Sequence, residues 1–222
     1  AAYVIQCYWD RPMFDYTLCI ARPYGWVFGI PLQNRVSFGY LYNHDIDDIK
    51  DIENDLLNVI KEYGYNPSDE TNSLKLKNYY RQKNYWNHIS YNGNASFFLE
   101  PMEATSIASI DHINRQVFDI LINRQTLTDA NAIYKQDFKR IQEVITMHYL
   151  AGSKWNTKFW KYAGKLATRC LENGGEEYSN IIKLLDTKKE IDEHYGTWHM
   201  HSFRKNVFGL GIQDILKNTD LV

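Results

Sequence analysis

The first 42 positions are rich in strand-like runs, and in one of them large apolar residues alternate with small or β-branched ones, a pattern typical of β-strands. In YGWVFGI the alternating residues are Tyr24, Trp26, Phe28 and Ile30. The runs TLCIA before it and RVSFGYLY after it are also rich in β-branched and aromatic residues. The pattern therefore predicts neighbouring strands of one sheet.

The period changes to three and four residues over positions 45–63, which predicts an amphipathic helix. Its apolar positions are Ile46, Ile49, Ile52, Leu56 and Ile60. Its acidic first turn, Asp45, Asp47 and Asp48, suits the positive end of a helix dipole. A polar loop follows at 66–73, and then weak strand signals lead to Gly93.

Beyond residue 104 the periodicity is mainly helical, and the predicted helices are 105–123, 129–150, 156–172 and 177–193. The expected fold class is therefore α/β (α+β), with a sheet region at 1–104 and a helical region at 105–222.

Composition and charge narrow the function classes. With 25 basic and 27 acidic residues, the net charge of −2 argues against a nucleic-acid partner or an anionic membrane surface. No apolar run approaches the roughly 20 residues that cross a bilayer. The three cysteines have no CxxC spacing, which argues against a zinc site or a disulfide framework and favours the cytoplasm.

The chain begins without Met, and its first residues, AAYVIQCY, already have a strand-like pattern. From this start we expect the chain to be part of a longer polypeptide.

The stretch FFLEPMEATSIASI, residues 97–110, places two carboxylates between a strand-like run and a helix. Unpaired N–H groups at a helix N-terminus bind anions. Thr105 and Ser106 could hold a small anion there, with Glu103 beside it. On physics alone, a capping arrangement with solvent-facing acids is favoured. Glu100 and Glu103 flank a proline and do not suit the paired acids of a glycosidase.

Three segments resemble the flavin-dependent tryptophan halogenases, in the family's order. They are GWVFGIPLQNRVSFGYLYN (25–43), WNHISYNGNASFFLEPMEATSI (86–107) and MHYLAGSKWNTKFW (147–160). The resemblance runs from about residue 15 to residue 165. It implies the carboxyl-terminal part of a monooxygenase-like FAD domain at 1–104, followed by a helical substrate-side region.

The resemblance also implies a reaction and its partners. The family uses FAD as FADH2, supplied by a separate flavin reductase, with oxygen and a halide ion. The product, hypohalous acid, halogenates an electron-rich aromatic of the indole or phenol type. Nucleic acid and membrane are not expected partners, and a homo-oligomer is left open. The sequence does not indicate which halide or which aromatic substrate is used.

Carried over by motif, Glu103 aligns with the family's catalytic glutamate. Thr105 and Ser106 align with the positions whose backbone N–H groups bind halide. Ala104 replaces the usual serine, so a side-chain contact is lost there while the backbone donors are kept.

The expected cofactor-binding residues form two groups. Gly93, Asn94 and Ala95 resemble the turn that approaches the flavin, where a residue without Cβ lets the backbone come close. Trp26 and Phe28 stand in the family's WxWxIP motif, with Phe28 in place of the second Trp. Core packing is the alternative for both aromatics.

The resemblance extends to a substrate wall made of Phe98, Trp155, Phe159 and Trp160, for which core packing is at least as good an explanation. No metal site is expected at His194, His199 and His201, because no Cys or carboxylate cluster completes a ligand set.

The GxGxxG fingerprint and the tunnel lysine of the family are missing from this sequence. We therefore expect this chain by itself neither to bind FAD tightly nor to halogenate. Two rivals to the halogenase interpretation remain: a related FAD-dependent monooxygenase that hydroxylates, and a non-catalytic aromatic-rich binding module.

Overall fold

The computed structural model describes residues 1–102, 105–185, 194–195 and 197–217. The chain forms two compact units, one of residues 1–76 with 152–164 and the other of residues 77–151 with 165–222. The boundary expected after residue 104, between a FAD domain and a helical substrate-side region, stays a prediction. Among the described residues, no helix is both long enough and apolar enough to cross a bilayer.

The first unit is built on a five-stranded antiparallel sheet in the order β2-β3-β4-β1-β5. Its strands are β1 Ala2–Tyr8, β2 Leu18–Arg22, β3 Gly25–Pro31, β4 Arg35–Tyr42 and β5 Thr71–Leu74. The prediction that TLCIA, YGWVFGI and RVSFGYLY are neighbouring strands is confirmed, because they supply β2, β3 and β4. The register places Phe28 opposite Gly39.

Helix α1, Ile49–Glu62, packs its apolar face on this sheet. It begins four residues later than predicted, because Asp48 is the N-cap: its Oδ1 accepts the N–H of Lys50 at 2.8 Å. Asn43 builds the turn before it, since its carbonyl accepts the N–H groups of Ile46 and Asp47, each at 3.0 Å. Thus Asp45 and Asp47 precede the helix.

A buried polar network joins this sheet to α1. The hydroxyl of Tyr40, which is 0% exposed, donates to Asp55 Oδ2 at 2.9 Å and accepts the N–H of Tyr24 at 3.1 Å. Arg22 Nη2 pairs with Asp55 Oδ1 at 2.5 Å. Because each buried polar group has a partner, the network costs the core little.

The cysteines carry free thiols at Cys7, Cys19 and Cys170. Burial raises the pKa of the Cys7 thiol to about 11, which keeps it protonated and unreactive. The cytoplasmic location expected from cysteine usage stays a prediction.

The second unit combines short strand pairs with long helices. The antiparallel pairs join β6 Tyr79–Tyr80 to β9 Phe97–Phe98, β7 Tyr85–Trp86 to β8 Ile89–Ser90, and β10 His194–Tyr195 to β11 Trp198–His199. The helices are α2 Thr105–Leu121, α3 Leu127–Ala151, α4 Lys158–Leu185, α5 Met200–Gly209 and α6 Ile212–Lys217.

Helix α4 replaces the two helices predicted at 156–172 and 177–193. It runs without a break through Gly174 and Gly175. Each glycine costs a helix about 1 kcal/mol relative to alanine, which is too little to end one. The part of the second predicted helix beyond residue 185 lies outside the described residues.

Candidate active site

The segment that carries the halogenase-like motif runs from β9 into α2. Leu99 and Met102 pack against the core of the second unit. Helix α2 begins at Thr105, which is 4% exposed, and its carbonyl accepts the hydroxyl of Ser109 at 2.7 Å. Ser106 is exposed. The first N–H groups of a helix have no partner within it, so this end can bind an anion.

Glu103 and Ala104 lie outside the described residues. The catalytic role expected of Glu103, and the halide-binding role of Thr105 and Ser106, stay predictions.

Glu100 occupies a site that the sequence analysis did not recognise. The hydroxyl of Tyr149, on α3, donates toward both carboxylate oxygens, at 2.9 Å to Oε1 and 2.8 Å to Oε2. Burial raises the pKa of Glu100 to about 7, although Tyr149 and the nearby His148 oppose the shift. The two partners are 49 positions apart, so no local pattern could have revealed the pair.

The expected flavin-binding turn is a single turn of 3₁₀ helix, Gly93–Ala95. Gly93 has φ +52°, a left-handed conformation that favours glycine. Asn92 fixes the turn, because its Oδ1 accepts the N–H of Gly93 at 2.7 Å and its Nδ2 donates to Asn114 of α2 at 2.8 Å. Asn94 and Ala95 are exposed.

The left-handed backbone, rather than crowding, is what favours glycine at position 93. A Cβ built on Gly93 would make ordinary van der Waals contact with the side chain of Ile110, at 3.6 Å. A glycine-dependent turn with exposed neighbours is compatible with a bound flavin, and FAD binding by Gly93, Asn94 and Ala95 stays a prediction.

Trp26 and Phe28 lie on β3 in the first unit, with ring centroids 5.8 Å apart. Trp26 is 5% exposed and part of the core, whereas Phe28 is half-buried. A Cβ on Gly39 would come within 2.0 Å of Phe28 Cζ, so the ring lies directly over that glycine. This packing explains the position of Phe28 without a cofactor, and its flavin-facing role stays a prediction.

Two of the aromatic residues expected to stack on substrate, Trp155 and Trp160, donate hydrogen bonds to the end of β2 in the same unit. The indole N–H of Trp155 donates to Ala21 O at 3.0 Å, and that of Trp160 donates to Arg22 O at 2.7 Å. Thr157 Oγ1 donates to Pro23 O at 2.5 Å. We call these three donors the clasp. Both indole N–H groups therefore donate to backbone carbonyls of the first unit.

Phe159 and Phe98 complete the expected substrate wall. Phe159 is 6% exposed and meets Trp160 edge to face at 5.3 Å. Phe98 is half-buried on β9, opposite Tyr79. The expected site residues fall into both units: Trp26, Phe28, Trp155, Phe159 and Trp160 in the first, and the remainder in the second.

The histidines weighed as metal ligands have local partners. His199 is the N-cap of α5, its Nδ1 accepting the N–H of His201 at 3.2 Å, and its ring meets that of His194 edge to face at 5.2 Å. Within the part of the chain that the structure describes, no three His, Cys, Asp or Glu side chains are grouped to hold a metal ion.

An ion pair between His112 and Asp137 links α2 to α3. His112 Nε2 lies 2.8 Å from Asp137 Oδ2, and the hydrogen bond to this carboxylate raises the pKa of His112. No local sequence pattern marks this pair, because its members lie on separate helices.

Several curated relatives of this chain are tryptophan halogenases. SttH, the tryptophan 6-halogenase of Streptomyces toxytricini, is 26% identical over 156 residues, which are 68% of this chain and 29% of SttH. KtzR, the 7-chloro-L-tryptophan 6-halogenase of Kutzneria sp. strain 744, is 27% identical over 193 residues, which are 84% of this chain and 36% of KtzR. The chain therefore spans about a third of the length of these relatives.

Solved structures of flavin-dependent halogenases share the fold. Xcc4156 from Xanthomonas campestris matches with a TM-score of 0.72 and 19% identity, over 95% of this chain and 42% of Xcc4156. BrvH from Brevundimonas sp. BAL3 matches with a TM-score of 0.70 and 23% identity, over 95% of this chain and 42% of BrvH. At these identities the likeness shows the fold, and it confirms the predicted α/β class.

The sequence profile of the tryptophan halogenase family matches residues 1–216, which is nearly the whole chain. The motifs that suggested the resemblance lie within that match. The chain belongs to the tryptophan halogenase family.

Proposed function

We propose that the protein is a flavin-dependent halogenase acting on an electron-rich aromatic of the indole or phenol type. The observation that carries the proposal is the family match over residues 1–216, and the motif at 100–105 ends at Thr105, the first residue of α2. The proposal concerns the polypeptide that the gene encodes, since this chain spans about a third of its curated relatives. The expectation that this chain alone neither binds FAD tightly nor halogenates is part of the proposal.

In this proposal the N-terminus of α2 holds the halide. The backbone N–H groups of Thr105 and Ser106 donate to the ion, and the helix dipole adds about half a positive charge. Thr105 is buried and its carbonyl accepts the hydroxyl of Ser109, which supports a defined position for the first proposed donor.

Glu103 is the proposed catalytic carboxylate. Its place in the sequence, two residues before the proposed halide donors, suits a group that orients the halogenating species. A carboxylate there can also take the proton that leaves the halogenated ring.

Gly93, Asn94 and Ala95 would hold the isoalloxazine part of the flavin. Reduced FAD, when bound, supplies the electrons that activate oxygen for halide oxidation. Trp26 and Phe28 would keep organic substrate from the flavin, and Phe98, Trp155, Phe159 and Trp160 would line the substrate side. A flavin reductase is the proposed partner that supplies FADH2.

The test uses the complete gene product with FAD, a flavin reductase, oxygen and either chloride or bromide. We expect mass spectrometry to find halide-dependent products from a panel of indoles and phenols. Glu103→Gln should abolish product while flavin reoxidation continues. Hydroxylated products would support a monooxygenase instead. Absence of any product across the panel would favour a non-catalytic binding module.

A further inference from the structure

The short connection between β9 and α2 is held at both ends. Phe97, in β9, is 6% exposed and meets Phe138 of α3 edge to face at 5.6 Å. Thr105, at the far end, is 4% exposed. Leu99 and Met102 pack against the same core. Packing of Phe97, Leu99 and Met102 against this core limits the backbone freedom of the described residues 97–102.

Glu100 supplies the polar anchor in this connection. Its carboxylate faces the hydroxyl of Tyr149, which donates toward both oxygens at 2.9 and 2.8 Å. Loss of the hydroxyl would therefore release the carboxylate from α3 and loosen the chain just before Pro101.

Glu100 could have a positioning role or a direct chemical role. The hydrogen bond from the Tyr149 hydroxyl supports the positioning role. An amide at this position would keep an oxygen acceptor for Tyr149. The two roles therefore predict different outcomes for Glu100→Gln.

We propose that Glu100 and Tyr149 form a tether that positions the start of α2, and with it the halide-binding N–H groups, for halogenation. The inference rests on the proposed function. In this arrangement the first acid of the motif and a tyrosine on α3 act through Thr105 and Ser106 rather than on the substrate. Both are positioning residues.

The kinetic test uses the complete gene product with bromide as the halide. Tyr149→Phe and Glu100→Ala should each raise the KM for bromide and lower kcat, by about tenfold in kcat/KM, since a small misplacement of a binding group is costly. Glu100→Gln should stay within about twofold of the parent because it keeps the acceptor. The matched control is Tyr162→Phe, at a half-exposed tyrosine on α4.

The double variant Glu100→Ala with Tyr149→Phe should be no worse than either single variant, because both single changes remove one shared contact. Parent-like kinetics of Tyr149→Phe would overturn the proposal. So would a Glu100→Gln variant as damaged as Glu100→Ala, because the carboxylic acid itself would then be needed.

A second measurement does not depend on turnover. Hydrogen exchange of the peptide spanning residues 97–110 should be faster in Tyr149→Phe and Glu100→Ala than in Glu100→Gln or Tyr162→Phe. Equal exchange in all four would refute the tether. If the parent makes no halogenated product, the proposed function fails, while the exchange experiment still decides whether the tether exists.

Discussion

The ring of Phe28 fills the space that a side chain on Gly39 would need. The two residues face each other across β3 and β4, and a Cβ on Gly39 would come within 2.0 Å of Phe28 Cζ. Glycine at position 39 therefore allows an aromatic ring to lie flat on this part of the sheet.

Gly39→Ala should force the Phe28 ring aside and lower the free energy of unfolding by about 1–3 kcal/mol, the usual cost of overpacking. Urea unfolding measures the change. Gly209→Ala, where the added Cβ meets nothing within 4 Å, is the control and should be near neutral. In the Gly39→Ala background, Phe28→Ala should cost less than it does alone; equal costs would mean that the two residues do not interact.

Tyr40→Phe should destabilise the first unit by about 1–3 kcal/mol, because it leaves Asp55 and the N–H of Tyr24 without their shared hydroxyl partner. Chemical denaturation again provides the measurement. Tyr42→Phe, on the same strand and 6% exposed, is the matched control and should change stability by less than about 0.5 kcal/mol. A similar loss in both variants would contradict the network.

Glu100→Gln should stabilise the protein at alkaline pH. The pKa of Glu100 is raised from 4.5 to about 7 in the folded state, so its contribution to stability is fully present below pH 4.5 and is lost as the pH rises through 7. The amide does not titrate and avoids this loss, which is on the order of 3 kcal/mol. Comparison of Tm at about pH 5 and about pH 8.5 tests the sign, and a benefit that is larger at the lower pH would contradict it.

Asp137→Asn should destabilise the protein more in acid than in alkali. The pKa of His112 is raised above 6.5 by Asp137, so the ion pair stabilises fully below pH 6.5 and is lost as the pH rises through the raised value. The Tm difference from the parent should therefore shrink between about pH 5.5 and about pH 8.5. Asp119→Asn, whose exposed pair with Arg124 is 4.0 Å long, should show little pH dependence.

The parts of the fold with a clear local pattern were predictable. The alternation around Trp26 and Phe28 identified β3 and its neighbours, and the helical spacing after residue 104 identified the helical region. The start of α1 was missed because Asp48 caps the helix within a run of several acids. The break predicted in α4 was wrong because two glycines weaken a helix without ending it.

The motif around Glu103 identified the family, and the family match confirms that assignment. The surroundings of the motif could not be predicted. Glu100 meets Tyr149 across 49 positions, and His112 meets Asp137 from another helix. Such contacts depend on how the helices pack against one another, and the periodicity of a single sequence does not predict that packing.

The clasp also bears on the order in which the chain can fold. Its hydrogen bonds join residues 134 and 138 positions apart, and contacts between such distant positions form late because closing a long loop costs entropy. During synthesis, the carbonyls of Ala21, Arg22 and Pro23 must wait for their donors until the ribosome has passed residue 160. Residues 77–151 of the second unit lie between the two segments of the first unit, so no single cut in the chain separates the two units.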